Sequence, residues 1–137
     1  MNTDLMFSKK SDNWATPIEF YRKLDNEFKF DIDPCPLNAD FDALSLPAWR
    51  GRAFVNPPYS NIRAFIEKAK LEIEAGHLEL AVFLVPARTD TRWFHDLVYG
   101  QAEVRFLKGR LKFGDGKNSA PFPSMVVVFR SADNSSY

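Results

Sequence analysis

The chain has 137 residues, 45% hydrophobic and 26% charged, with 18 Lys/Arg balanced by 18 Asp/Glu. That length builds one core rather than two, the composition excludes a disordered or fibrous chain, and zero net charge excludes a protein that holds nucleic acid by bulk electrostatics alone. No run approaches the ~18 apolar residues of a membrane span and the first ten residues lack the apolar core of a secretory signal, so a cytoplasmic protein with no membrane contact is expected.

Residues 1–12 are polar and aperiodic and read as a flexible arm, residues 13–130 as one domain and residues 131–137 as a flexible tail. Thr16-Pro17-Ile18-Glu19 carries the marks of a helix start, with Thr16 as N-cap, Pro17 in the first turn and Glu19 completing a capping box. The helix it opens should turn Ile18, Tyr21, Leu24 and Phe28 to the core. Phe28 to Asp33 then alternates with period two and predicts a strand that presents Asp33 at its end, stopped by Pro34 and Pro36. Residues 34–50 predict a loop with one helical turn near Phe41 to Leu44.

A strand over 52–55 runs into Asn56-Pro57-Pro58-Tyr59, and Asn61 can cap a helix whose stripe is Ile62, Phe65, Ile66, Ala69 and Ile73, with Gly76 at its C′ position. Leu80 to Val85 is a continuous apolar run, the pattern of a strand covered on both faces. Together these form a βαβ unit. Thr89 or Asp90 is expected to cap a short helix carrying Trp93 and Phe94 that Gly100 ends. Glu103 to Leu107 and Met125 to Phe129 predict strands, with Arg110 to Phe113 a further candidate.

The central tetrapeptide carries the chemistry. Two prolines cannot continue a strand, because each lacks the N–H that a ladder needs. The strand therefore ends with an Asn amide oxygen and a Pro carbonyl near each other, where open α/β sheets bind ligands. Two acceptors grip an NH2 group, and the face of Tyr59 suits a planar ring. An amine conjugated to such a ring is a poor nucleophile; hydrogen bonds to both its protons pull it toward tetrahedral geometry and restore its lone pair. The lone Cys35 can form no internal disulfide, and with only His77 and His95 as companions it makes no zinc set, so no metal is expected.

Charge is uneven along the chain. Residues 1–50 hold 6 Lys/Arg against 9 Asp/Glu, whereas residues 88–117 hold 7 against 4. A basic second half suits a polyanion, although a solvated face of mixed charge reads the same way. Arg88, just past the buried strand, is a candidate phosphate or base contact, or else a salt-bridge partner of Asp90. Lys108, Arg110, Lys112 and Lys117 fit a DNA backbone or a solvated hairpin equally. Phe122 between two prolines is either a wedge beside a base or a packing residue.

Asn56-Pro57-Pro58-Tyr59 resembles the catalytic motif of S-adenosylmethionine-dependent amino-methyltransferases, and the whole chain resembles the small phage-type DNA adenine-N6 methyltransferases. The similar pieces are Trp14-Ala15-Thr16-Pro17, Phe30-Asp31-Ile32-Asp33-Pro34-Cys35, Trp49 leading to Phe54 through Ser60, Pro86 through Thr91 with Trp93-Phe94-His95, Gly109 through Phe113, and Ala120-Pro121-Phe122. They span about residues 12–130 in the family's order. The resemblance implies a reduced Rossmann-like (class I) methyltransferase fold, a single α/β domain with a mixed sheet and flanking helices. It implies S-adenosylmethionine as cofactor, held by Trp14, Thr16 and Pro17 and by Asp33, Pro34 and Cys35, with Cys35-Pro36-Leu37-Asn38 where such enzymes usually carry a Gly-rich turn. Asn56, Pro57, Pro58 and Tyr59 would be catalytic, orienting N6 of an adenine flipped out of the duplex. Arg88, Arg92, Lys108, Arg110, Lys112, Lys117 and Phe122 would meet double-stranded DNA, with a homodimer as one way to grip it, in a host bacterial cytoplasm if the gene is a phage's. The competing readings are a methyltransferase for RNA, cytosine N4 or protein glutamine, and an inactive remnant that binds DNA.

Overall fold

The computed structural model describes residues 15–36, 42–46, 48–112 and 121–132. In chain order it has helix α1 (Ile18–Phe28), a 3-10 turn (Ala43–Ser45), strand β1 (Gly51–Val55), a second 3-10 turn (Tyr59–Asn61), helix α2 (Ile62–Glu74), strand β2 (Leu78–Pro86), a π-helical turn (Phe94–Val98), and strands β3 (Glu103–Phe106) and β4 (Ser124–Arg130). The sheet runs β1-β2-β4-β3, with β1 and β2 parallel and the other neighbours antiparallel. This is the expected α/β architecture, a mixed sheet with flanking helices.

Side chains alternate across a strand, so each strand feeds two faces. On one face Ala53, Val55, Ala81, Phe83, Val85, Met125 and Val127 pack beneath Ile62, Phe65, Ile66 and Ala69 of α2. On the other, Phe54, Leu80, Val82, Leu84, Val126 and Val128 pack beneath Leu24 and Phe28 of α1. Strand β2 is thus covered on both sides, which is why its run is apolar throughout. Ile18, expected in the core, is 58% exposed. The stripe that packs is Phe20, Tyr21, Leu24 and Phe28, and at about 100° per residue Ile18 points roughly a quarter turn away from it.

The strand expected over Phe28 to Asp33 contracts to one parallel bridge, Ile32 to Ala53. Helix α1 runs on through Phe28, and Lys29 reverses the chain in the left-handed region at φ 57°. Asp25 then accepts from Phe30 N–H at 3.0 Å, so only Asp31 and Ile32 lie along β1, both donating to the Arg52 carbonyl. Gly51 makes that approach possible. Its φ is +87°, and a Cβ there would stand 2.4 Å from Asp31 Oδ2, the oxygen that accepts from Arg52 N–H. Gly51→Ala is expected to cost about 1–3 kcal/mol, from left-handed strain plus a displaced hydrogen bond, read as a lowered Tm.

Helix α2 ends as expected at Gly76. Its N–H donates to the Ile73 carbonyl and that of His77 to the Glu72 carbonyl, the paired bonds of a Schellman motif. Asn61 holds the N-cap position but makes no side-chain cap bond. Buried Glu72 accepts from Trp49 N–H at 2.7 Å and faces His77 Nδ1 at 3.1 Å. Burial opposes its charge, yet these partners and Lys68 hold its carboxyl below the usual range. The bond pins the segment entering β1. Beyond β2, Thr91 rather than Thr89 or Asp90 accepts from Phe94 N–H, at 3.4 Å, and the expected short helix takes π-helical form over Phe94–Val98. Of the candidate strand Arg110 to Phe113, the described part holds one bridge residue, Lys112.

Candidate active site

Parallel pairing fixes where the mouth lies. The C-terminal ends of β1 and β2 share one edge of the sheet, and antiparallel β4 begins there, with Ser124 opposite Pro86. Strand β3 ends there too, Phe106 lying opposite Met125. Four chain segments therefore leave or enter at that edge: Asn56–Tyr59, Arg88–Arg92, Lys108–Lys112 and Pro121–Pro123. Asp33 follows Ile32, which bridges to the outer side of β1.

Asn56 is 6% exposed. Its Nδ2 donates to Thr16 Oγ1 at 3.0 Å, forty residues away in sequence, and its Oδ1 is shielded from water. Thr16 was expected to cap α1 and to touch cofactor. The cap position belongs to Pro17, with no side-chain cap bond, and its carbonyl accepts from Tyr21 N–H at 2.9 Å. Past Asn56, Pro57 is buried, and Pro58 leads into the 3-10 turn that carries Tyr59.

Tyr59 stands edge-on to Phe122, ring centres 5.2 Å apart. Its hydroxyl is buried without a hydrogen-bond partner among the described residues. Burial raises the phenol's pKa well above its ordinary value, and nearby Arg88 opposes the rise. A cavity of about 430 Å³ adjoins the pair, lined by Tyr59, Ile62, Pro86, Arg88, Thr91, Trp93, Pro121 and Phe122. Phe122 thus both packs and lines an opening.

Among the described residues Arg88 makes no ion pair with Asp90 or any other carboxylate, and neither do Arg92, Lys108, Arg110 or Lys112, all exposed. Arg105, counted in the same basic stretch, differs: it pairs with Glu27 at 2.6 Å and with Glu103. Asp33 is exposed and meets no cation among the described residues; its Oδ1 accepts from Cys35 N–H at 3.1 Å. Desolvation raises its carboxyl above the usual range, and the Cys35 bond works against that rise. Burial, with Asp33's charge, pushes the Cys35 thiol up, so it is not a reactive thiolate.

The structure therefore brings Tyr59, Arg88 and Phe122 to one cavity, while Asn56, at the same sheet edge, is bonded to Thr16 and does not line that cavity. Trp14 and Lys117 lie outside the described residues. Trp93, read in the sequence as part of a short helix and of a family-like piece but not as a site residue, lines the cavity; nothing in its spacing distinguished it from a core position. Thr16 as a partner of Asn56 was hidden by its fit to a capping box.

The chain matches the family model for DNA N-6-adenine-methyltransferase (Dam) over residues 4–136. It is 30% identical over 142 residues to the DNA N-6-adenine-methyltransferase of Haemophilus phage HP1, covering 89% of this chain and 82% of that protein. To that of Escherichia phage T1 it is 29% identical over 112 residues, covering 73% of this chain and 46% of the relative, so it spans about half of that protein's length. Among solved structures, the 23S rRNA methyltransferase ErmE aligns with 82% of this chain and 48% of its own, at 15% identity and a TM-score of 0.45. With the match running nearly end to end, the chain belongs to the DNA N-6-adenine-methyltransferase family, whose reaction is the methylation of adenine N6 in DNA.

Proposed function

We propose that Asn56, Pro57, Pro58 and Tyr59 hold the target adenine of this reaction outside the duplex, with S-adenosylmethionine as the methyl donor. The observation that carries the reading is the common sheet edge: an Asn amide held by Thr16 three residues before Tyr59, which walls a cavity with Phe122 and Arg88. Asn56 Oδ1 and the Pro57 carbonyl accept the two N6 protons, while the Tyr59 ring stacks on the base. Nitrogen rehybridised in this way needs no strong base before attack, and its surplus proton leaves to solvent afterwards.

The cofactor's fit rests on Asp33. A carboxylate at the mouth without a cation among the described residues is an acceptor for the hydroxyl or ammonium groups of a ligand, and Pro34 and Cys35 would form the floor beside it. S-adenosylmethionine supplies, when bound, a methyl on a sulfonium sulfur that keeps the bonding electron pair as it leaves. The protein's part is to align N6 with that methyl.

Arg88, Arg92, Lys108, Arg110 and Lys112 are read as phosphate contacts. Replacing Arg110 and Lys112 together by Ala is expected to weaken duplex binding and to flatten the slope of log K against log salt by about 1.8, at ~0.9 for each neutralised phosphate. Filter binding across a salt series reads this. A homodimer is part of the proposal, supported by β3 standing at the edge of the sheet among the described residues, with Phe106 64% exposed. The acceptor class is tested by supplying labelled cofactor with duplex DNA and with double-stranded RNA of matched sequence. Transfer to DNA is expected; preferential transfer to RNA overturns the reading.

A further inference from the structure

A side-chain amide has two orientations of nearly equal shape, related by a half-turn about its last torsion. At position 56 they are chemically opposite. With Oδ1 toward the ligand the residue accepts a proton from an amine; with Nδ2 toward it, donor meets donor and the amine is repelled. The first orientation needs an anchor, and Asn56 lies just past the end of β1 at Val55.

Thr16 meets the need. Its Oγ1 accepts from Asn56 Nδ2 at 3.0 Å; a hydroxyl can also donate, and in the acceptor role it takes here it holds the amide by its nitrogen end. Its own position is stiff. Pro17 follows it and confines the preceding residue to extended backbone, and Pro17 holds the N-cap position of α1 at φ −59°. That helix is seated on the sheet by Leu24 and Phe28 and by Tyr21, whose ring meets Phe54 edge-on at 5.0 Å. Phe54 is two residues before Asn56. The hydroxyl is thus fixed to the same strand that presents the amide.

The helix start shows what this arrangement displaces. Thr followed by Pro-x-Glu is a capping sequence, and a Thr cap is worth about 1 kcal/mol. Helix α1 nevertheless begins without a side-chain cap bond, and the hydroxyl reaches across to β1 instead. A hydroxyl given up by its own helix and bonded to the residue at the centre of the site indicates a role in that site.

We propose that Thr16 is a positioning residue that anchors the Asn56 amide by its nitrogen end, so that Oδ1 faces the amine to be methylated. This rests on the reading of Asn56 given above, and it departs from the expectation that Thr16 holds cofactor. The role is carried by the hydroxyl and not by the methyl group of Thr16.

The test uses the full chain, duplex DNA lacking adenine methylation and S-adenosylmethionine. Thr16→Val keeps the shape and removes the acceptor; Thr16→Ser keeps the acceptor and removes the methyl. Thr16→Val is expected to lower kcat by about 10- to 100-fold, the scale of a misoriented reacting group, with KM for DNA and the calorimetric Kd for S-adenosylmethionine within about threefold of the unmodified chain. Thr16→Ser is expected to restore kcat to within about threefold. A Thr16→Val chain that loses cofactor affinity while kcat holds makes Thr16 a cofactor ligand and overturns the proposal. So does a Thr16→Ser chain as slow as Thr16→Val, because packing would then be the cause. Absence of transfer by the unmodified chain overturns instead the reading on which the proposal rests.

Discussion

Asn56→Ala is expected to lower the single-turnover rate of methyl transfer by about 10³-fold, the upper scale for removing one preorganised polar group at a reacting centre. Cofactor affinity should stay nearly unchanged, since Asn56 is read as holding the adenine and the cofactor acceptor Asp33 lies on the segment after Ile32. The residue is 6% exposed and bonded through Nδ2 to Thr16, so Ala also loses a part-buried hydrogen bond, at about 1 kcal/mol of stability. That loss leaves a folded protein whose rate can be measured. A near-normal rate in quenched-flow or manual single-turnover assays, with cofactor binding intact by calorimetry, contradicts the activation of N6 by this amide.

Tyr59 separates stacking from hydrogen bonding. Its hydroxyl is buried with no partner among the described residues, while its ring faces Phe122 and the cavity. Removing the ring in Tyr59→Ala should forfeit about 1–3 kcal/mol of base stacking, hence roughly 5- to 150-fold in kcat/KM. Removing only the hydroxyl in Tyr59→Phe relieves an unsatisfied buried group, so kcat/KM should hold and Tm should stay level or rise. Steady-state kinetics and thermal melts on both variants decide it. If Phe is as damaging as Ala, the phenol oxygen acts in the reaction and the stacking role is wrong.

Much of the fold was legible because the signals were local. The unbroken apolar run of β2, the stripe of α2 and Gly76 at its end each specify one element, and the two prolines end β1 where the structure ends it. The parallel β1–α2–β2 unit then carries Arg88 to the same edge as Asn56. What the sequence misstated depended on partners far along the chain. Thr16 reads as a cap because its own helix offers the nearest N–H groups, yet its hydroxyl bonds to a residue forty positions on. Phe28 to Asp33 alternates as a strand would, and Phe28 and Ile32 do go inward, but Lys29 reverses the chain and leaves one bridge. Arg105 looks like its basic neighbours until Glu27, from α1, is seen against it. Ile18 illustrates a smaller error: Tyr21, Leu24 and Phe28 of the expected stripe pack, and Ile18 alone lies about a quarter turn off.

The same distinction orders the site. The tetrapeptide is contiguous, so its chemistry could be argued from residue types alone. The cavity beside it is not contiguous: it takes Ile62 from α2, Thr91 and Trp93 from the segment after β2, and Phe122 from the approach to β4. Only the antiparallel placement of β4 against β2 brings that last piece to the mouth.

The most direct test of an adenine amine at Asn56 is identification of the product. The chain is incubated with S-adenosylmethionine labelled in its methyl group and duplex DNA lacking adenine methylation, and the DNA is digested to nucleosides and separated. Label in N6-methyldeoxyadenosine is the expected result. Label in N4-methyldeoxycytidine or in the protein, or no label in any nucleoside, contradicts the assignment of this pocket to adenine.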